Sequence, residues 1–235
     1  MATGAVERAF ATPLPVDLRL TLGPAARPLT TIVGPDGVWR ATRTPEGPAT
    51  VLLRSRPAAG EVVVRAWGPG AAWAVETAPV LVGAGDELEG FRPGHPLVAD
   101  LHRCLPGLRI PRTRAVFEHL VPVILEQKVI ALEARRAYAG LVRRHGEAPP
   151  GPAGVVPPRL RLAPAAATVA GLPSYAFHPL GVERKRSDTV RLAARHARRL
   201  EETVDMAPAD ASRRLQVLPG IGPWSAAEVA IVALG

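Results

Sequence analysis

The sequence predicts an α+β chain, with an antiparallel β-rich N-terminal domain over residues 1–90 and an all-helical domain over residues 91–235. Three observations carry this expectation. Short runs of alternating apolar and polar residues, broken by Gly, Pro and Asp, fill the first part of the chain. From about Pro93 the apolar residues recur instead at three- and four-residue spacing. The charge divides at nearly the same place: residues 1–100 carry 9 basic and 10 acidic side chains and the remainder carries 20 and 11, so the excess of +8 lies entirely in the helical part.

Taken in order, the predicted strands are Val16 to Leu22, Val38 to Thr42, Thr50 to Arg54 and Glu61 to Trp67. Between them, Gly34-Pro35-Asp36-Gly37 and Pro45-Glu46-Gly47-Pro48 supply the backbone angles that turns need. A Gly- and Pro-rich stretch from Gly83 to Pro96 marks the boundary. Thr113 is placed to cap a helix whose buried face is Val116, Phe117, Leu120, Val121 and Ile124, with a kink or break expected at Pro122. A second helix is predicted from about Val129 to Gly146, a loop over Ala148 to Pro158, and helices over Pro164 to Ala170, Glu183 to Val204 and Pro208 to Gln216. The last helix starts at Pro223, and its apolar residues Val229, Ile231, Val232 and Leu234 are expected to leave a face uncovered.

With 47% hydrophobic residues the chain can bury a real core. No window approaches the roughly 18 apolar residues of a membrane helix, and the first residues lack the pattern of a signal peptide, so a cytoplasmic protein with no membrane association is expected. The single cysteine, Cys104, excludes an internal disulfide framework and a four-cysteine zinc or iron–sulfur site, and is expected to be a half-buried thiol. A basic helical part suits a polyanion, most simply nucleic acid. The same arginine-heavy usage also goes with a GC-rich genome: lysine occurs only at Lys128 and Lys185.

The most informative segment is Leu218-Pro219-Gly220-Ile221-Gly222-Pro223-Trp224-Ser225-Ala226. Two glycines permit a tight hairpin with outward-facing N–H groups, and Pro223 fits the first position of a helix, where no N–H is missed. Free amides beside a helix N-terminus form an anion site. Ile221 would anchor the hairpin between the two helices. Such a hairpin grips a phosphate without reading sequence.

This segment resembles the helix-hairpin-helix motif of base-excision DNA glycosylases. A second match lies upstream, in Leu105-Pro106-Gly107-Leu108-Arg109-Ile110-Pro111 and the helix leading to Glu126-Gln127-Lys128. It is similar to the 3-methyladenine type II branch, in which a Gly-Gln-x triple ends that helix and one of its side chains wedges into the minor groove where the base is extruded. The resemblance covers about residues 85–235. It implies a monofunctional N-glycosyl hydrolase that flips alkylated bases out of duplex DNA, binding it through Leu218, Gly220, Ile221, Gly222, Trp224, Ser225, Gln127 and Lys128. Trp224, Tyr175 and Phe177 are the candidate walls of the base pocket, with His178 beside them. The resemblance implies no metal and no iron–sulfur cluster, leaves room for a monovalent cation at the hairpin, and calls for no obligate protein partner.

Three departures stand out. The triple here has no Gly and places Lys128 where the family often has an apolar wedge. Glu228 stands where some members place a pocket aromatic. The family's catalytic aspartate lies about twenty residues past the hairpin, whereas Gly235 is thirteen residues after Gly222; the aspartate is therefore expected beyond Gly235, with no catalytic acid in the chain itself. Asp205 and Asp210 are expected to be surface or capping residues. A non-catalytic module that binds damaged or distorted DNA through the same hairpin is the alternative.

Overall fold

Alternation in the first part of the chain builds one antiparallel sheet. The computed structural model describes residues 4–235, and its five strands are β1 (Val6–Ala11), β2 (Thr31–Gly34), β3 (Gly37–Thr44), β4 (Gly47–Arg56) and β5 (Glu61–Trp67), in the order β1-β5-β4-β3-β2. Strands β2 to β5 form a meander, and β1 pairs with the outer edge of β5, Val6 opposite Ala66 and Ala11 opposite Glu61. The two predicted turns connect β2 to β3 and β3 to β4, with Gly37 and Gly47 at φ +126° and +121°.

Residues 16–22 correct the strand prediction. Asp17 accepts the N–H groups of Arg19 at 2.8 Å and Leu20 at 3.1 Å, and this cap opens the short helix α1 (Leu18–Leu22). Leu18 and Leu22 are buried under the sheet, so an alternating leucine run serves one helical turn. The helix α2 (Ala71–Leu81), which the sequence reading did not place, covers the same face, where Val38, Val51, Leu53, Val62 and Val64 form the first core. On the other face Trp39 stacks on Trp67 at 5.6 Å, and Ala41 packs with Leu160 and Leu162. The middle of the sheet is therefore covered on both sides.

The helical part follows: α3 (Pro96–Cys104), α4 (Val116–Glu126), α5 (Ala131–His145), α6 (Ala166–Gly171), α7 (Arg184–Arg195), α8 (Ala197–Glu201), α9 (Pro208–Gln216) and α10 (Pro223–Ala233). Short 3-10 turns cover Ser174–Leu180 and Glu202–Asp205. The expected single helix from Glu183 to Val204 is thus three pieces. The second core gathers α4, α5, α7 and α10 around Leu120, Ile124, Tyr138, Leu141, Val190 and Val229. No helix among the described residues is long and apolar enough to cross a membrane.

Four details differ from the sequence reading. Thr113 does not cap α4; the carboxylate of Glu201, from α8, accepts the N–H groups of Val116 and Phe117, each at 2.8 Å. Helix α4 runs unbroken through Pro122. Val229 and Val232 of α10 are buried and Leu234 is half-buried, which leaves Ile231, 54% exposed, as the one well-exposed residue of the expected uncovered face. Cys104 is exposed at the end of α3, a helix with no buried residue.

Sheet and helices are joined through charge. Glu118 of α4 accepts from Arg40 at 2.9 Å and from the Thr42 hydroxyl at 2.7 Å, and all three side chains are largely out of water. A buried carboxylate is tolerated because a guanidinium and a hydroxyl replace its hydration. Beside it, His119 is buried with neither ring nitrogen hydrogen-bonded. Desolvation, and then the charges of Arg40 and Arg27, hold its pKa well below the ordinary histidine value, so the ring is neutral.

Candidate nucleic-acid interface

Helices α9 and α10 are joined by the turn Val217 to Gly222, and the turn is built as its residues require. Leu218 and Ile221 are buried between the helices, with Ile221 donating its N–H to the Leu218 carbonyl at 3.0 Å. Gly220 has φ +91°, and a Cβ there would lie 2.7 Å from the Thr189 hydroxyl of α7. Only glycine fits this position. Gly222 differs: its φ is −97° and a Cβ would meet nothing within 4 Å. It caps α10 without a side chain, and its open outer face is a place where another backbone or a phosphate can approach closely.

Among the described residues, the N–H groups of Gly220, Gly222, Trp224 and Ser225 engage no backbone or side-chain acceptor, while Ala226 begins the helical pattern by donating to Gly222 at 3.0 Å. Unpaired amides at the start of an eleven-residue helix carry its positive dipole end. They form a cradle for an anion.

Opposite the turn, α4 ends and the chain turns sharply at Lys128, whose φ of +58° is a left-handed conformation that a side-chain-bearing residue adopts only under constraint. The constraint is visible. The Gln127 amide donates to the Gly220 carbonyl and to the Ser225 hydroxyl, both at 2.9 Å, tying the end of α4 to the hairpin. Arg186, buried at the start of α7, donates to the Leu125 carbonyl at 2.9 Å and lies 3.5 Å from Glu183. It satisfies one of the last carbonyls of α4, which has no partner within the helix.

These pieces enclose a cleft of about 480 Å³ lined by Glu126, Gln127, Lys128, Lys185, Arg186 and Trp224 together with the hairpin glycines, Pro223, Ser225 and Glu183. Trp224 is 52% exposed, so its ring faces the cleft rather than the core. Of the residues singled out from sequence, Gly220, Gly222, Trp224, Ser225, Gln127 and Lys128 come together here, and Leu218 and Ile221 lie buried beneath them. Lys185, Arg186 and Glu183 were not anticipated; the only local signal was the charged run at the start of α7.

The remaining pocket candidates are corrected. Phe177 is fully buried in the helical core, because its segment is a 3-10 turn packed on α5 and α7 rather than a loop. Tyr175 is 74% exposed on that turn and does not line the cleft, nor do His178 and Glu228. Asp205 pairs with Arg114 at 2.8 Å and Asp210 pairs with Arg213, both at the surface.

No family model and no curated protein matches the sequence. Solved structures do match. The 3-methyladenine DNA glycosylase of Archaeoglobus fulgidus superposes with a TM-score of 0.78 at 20% identity, over 97% of this chain and 80% of that one. The 8-oxoguanine glycosylase/lyase of Clostridium acetobutylicum, bound to double-stranded DNA with cytosine opposite 8-oxoguanine, superposes with a TM-score of 0.71 at 12% identity, over all of this chain and 80% of that one. With a five-stranded sheet before its helices, and a Gly220-Ile221-Gly222 hairpin facing the end of α4, the chain has the fold of the helix-hairpin-helix DNA glycosylases.

Proposed function

We propose that the protein is a DNA repair glycosylase that binds duplex DNA, extrudes an alkylated base of the 3-methyladenine type and hydrolyses its N-glycosidic bond. The observation that carries this reading is the bond from Gln127 to Gly220, because it fixes the residues that would enter the helix against the residues that would grip its backbone. Gly222, Trp224 and Ser225 offer free amides to a phosphate. Lys128 projects from a constrained turn toward the same cleft, where its alkyl stem would occupy the gap left by the base. Extrusion costs a few kcal/mol, less for a poorly stacked lesion. An alkylated purine is cationic and leaves readily, and the exposed face of Trp224 attracts a cationic base through its ring.

Cleavage builds positive charge on the sugar, and a carboxylate must stabilise that charge and orient water. The acidic residues lining the cleft are Glu126 and Glu183. Release of methylated purines from alkylated duplex DNA tests the reading. Release supports it. Salt-sensitive duplex binding without release would replace the enzyme by a binding module, and failure to bind duplex DNA would end both.

A further inference from the structure

A small cavity lies where the sheet and α2 meet the segment that leads into α4. Its volume is about 20 Å³, room for one water-sized particle, and its polar lining is Arg40 and Thr42 of β3, Thr77 of α2 and the run Arg112-Thr113-Arg114. No carboxylate lines it, and the remaining walls are apolar or aromatic. Each guanidinium spends its Nη2 on a carboxylate outside the cavity: Arg40 on Glu118 at 2.9 Å, Arg112 on Asp86 at 3.2 Å and Arg114 on Asp205 at 2.8 Å. Among the described residues, the Nε and Nη1 groups of these three arginines meet no acceptor. The Thr42 hydroxyl is engaged with Glu118 and the Thr77 hydroxyl with the Trp73 carbonyl. The Thr113 hydroxyl is not: it is buried without a hydrogen-bond partner, on a residue 7% exposed. Arg114 beside it is held at φ +52°, a left-handed conformation that a side-chain-bearing residue adopts only under constraint.

We infer that this cavity is a binding site for one monovalent anion of halide size, such as chloride. The lining offers donors, and a halide accepts from them without having to donate in return. A water molecule would bring two hydrogens of its own, and the lining has no carboxylate to receive them. Phosphate is too large for the volume. Charge points the same way. Arg109 is 5% exposed, its Nε and Nη2 have no partner, and the carboxylate that acts on it is Asp86, which is already paired with Arg112. Around the cavity the guanidiniums of Arg40, Arg109, Arg112 and Arg114 therefore share the carboxylates of Glu118, Asp86 and Asp205, and one negative charge is lacking. Buried cations without a counter-charge are costly, so a single anion completes the cluster. It would tie β3 to Thr113 and Arg114, whose N–H groups donate to Val232 and Ala233 at the end of α10, and so fix sheet, α4 and α10 at one point. None of its residues lines the hairpin cleft, and the inference does not depend on the excision reading.

Bromide substitutes for chloride and scatters anomalously, which makes the test direct. Crystals of the protein are soaked in sodium bromide and diffraction is recorded at the bromine edge; in solution, gluconate is replaced stepwise by chloride at fixed ionic strength while the melting temperature is followed. The expected results are an anomalous peak between Arg40, Arg114 and Thr113, and a melting temperature that rises by about 3–6 °C for each tenfold increase in chloride above its dissociation constant. T113V, which removes the free hydroxyl and keeps the backbone N–H that donates to Val232, should lose most of that chloride increment while its circular dichroism stays that of the parent. A cavity holding water with no anomalous signal would overturn the inference. So would a bromide peak without any chloride effect on melting, which would mark binding at crystal concentration only, and so would a folded T113V that responds to chloride as the parent does. Should T113V not fold, diffraction and titration of the parent still decide.

Discussion

The two hairpin glycines are alike in sequence and different in what they do, and substituting each by alanine separates folding from binding. At Gly220 an alanine suffers twice. Its φ of +91° costs an L-residue about 1–2 kcal/mol. Its methyl group would also sit 2.7 Å from the Thr189 hydroxyl and 3.1 Å from the Thr189 methyl. Thr189 cannot simply turn away, because its hydroxyl is bonded to the Lys185 carbonyl at 3.0 Å, so overpacking adds about 1–3 kcal/mol. A total near 3 kcal/mol lowers the melting temperature of a chain this size by roughly 6–12 °C. Replacing Thr189 by alanine leaves only its Cβ, at 3.5 Å, an ordinary contact. In that background G220A should cost only the backbone part, a coupling of about 1–3 kcal/mol in a double-mutant cycle read by urea unfolding. G222A, with open space around its Cβ and an extended backbone, should unfold like the parent yet bind duplex DNA more weakly. Equal cost of G220A in both backgrounds would refute the packing argument, and unchanged DNA affinity of a folded G222A would refute the phosphate cradle.

Three further outcomes follow from the same contacts. Q127A loses two hydrogen bonds at the edge of the cleft, worth about 1 kcal/mol each, so its melting temperature should fall by roughly 4–8 °C and its duplex affinity should fall as well; normal affinity of the folded variant would show that the end of α4 need not be fixed to the hairpin. E201A leaves the N–H groups of Val116 and Phe117 without their acceptor and should cost about 1–3 kcal/mol in urea unfolding, which an exposed cap would not. The neutral, buried His119 makes stability depend on pH with a definite sign. Its folded pKa is depressed, so the unfolded chain binds a proton first, and the contribution present above the ordinary histidine value of 6.5 is lost as pH falls below it. H119L, which removes two unpartnered nitrogens at similar volume, should flatten the acid side of the stability profile, and a profile unchanged in H119L would place the acid sensitivity elsewhere.

What could be seen in the sequence was local. The alternation Glu61 to Trp67 defines β5 to the residue, and Gly220-Ile221-Gly222-Pro223 carries the whole logic of its hairpin, because turn, anchor and helix start are adjacent. Leu18, Leu20 and Leu22 fit a strand as well as one turn of helix, and the deciding signal was Asp17, a capping residue just before them. β1 escaped because it is an edge strand with a single buried residue, Phe10. Phe177 was hidden by the prolines around it, which resemble a loop while the ring fills the core. The candidate site itself depends on long-range contacts. Gln127 meets a partner 93 residues away and Glu201 caps a helix 85 residues before it, and no periodicity announces either pairing.

Those long-range contacts converge on α4. Its first turn is held by Glu201 and by the Arg40 and Thr42 pair on Glu118, and the Leu125 carbonyl near its end by Arg186, while Thr113 and Arg114 just ahead of it donate to Val232 and Ala233 at the end of α10. The helix is amphipathic only in part, with nine of its eleven residues buried, and a helix so enclosed cannot move without disturbing sheet, hairpin and α7 together. The strained turn at Lys128 is affordable for that reason. A left-handed residue at the end of a free helix would relax, whereas here Gln127 on one side and Arg186 beneath leave it one conformation. The β-sheet thereby acts on the cleft without lining it: through Glu118 it fixes the helix whose end presents Gln127 and Lys128 to the hairpin.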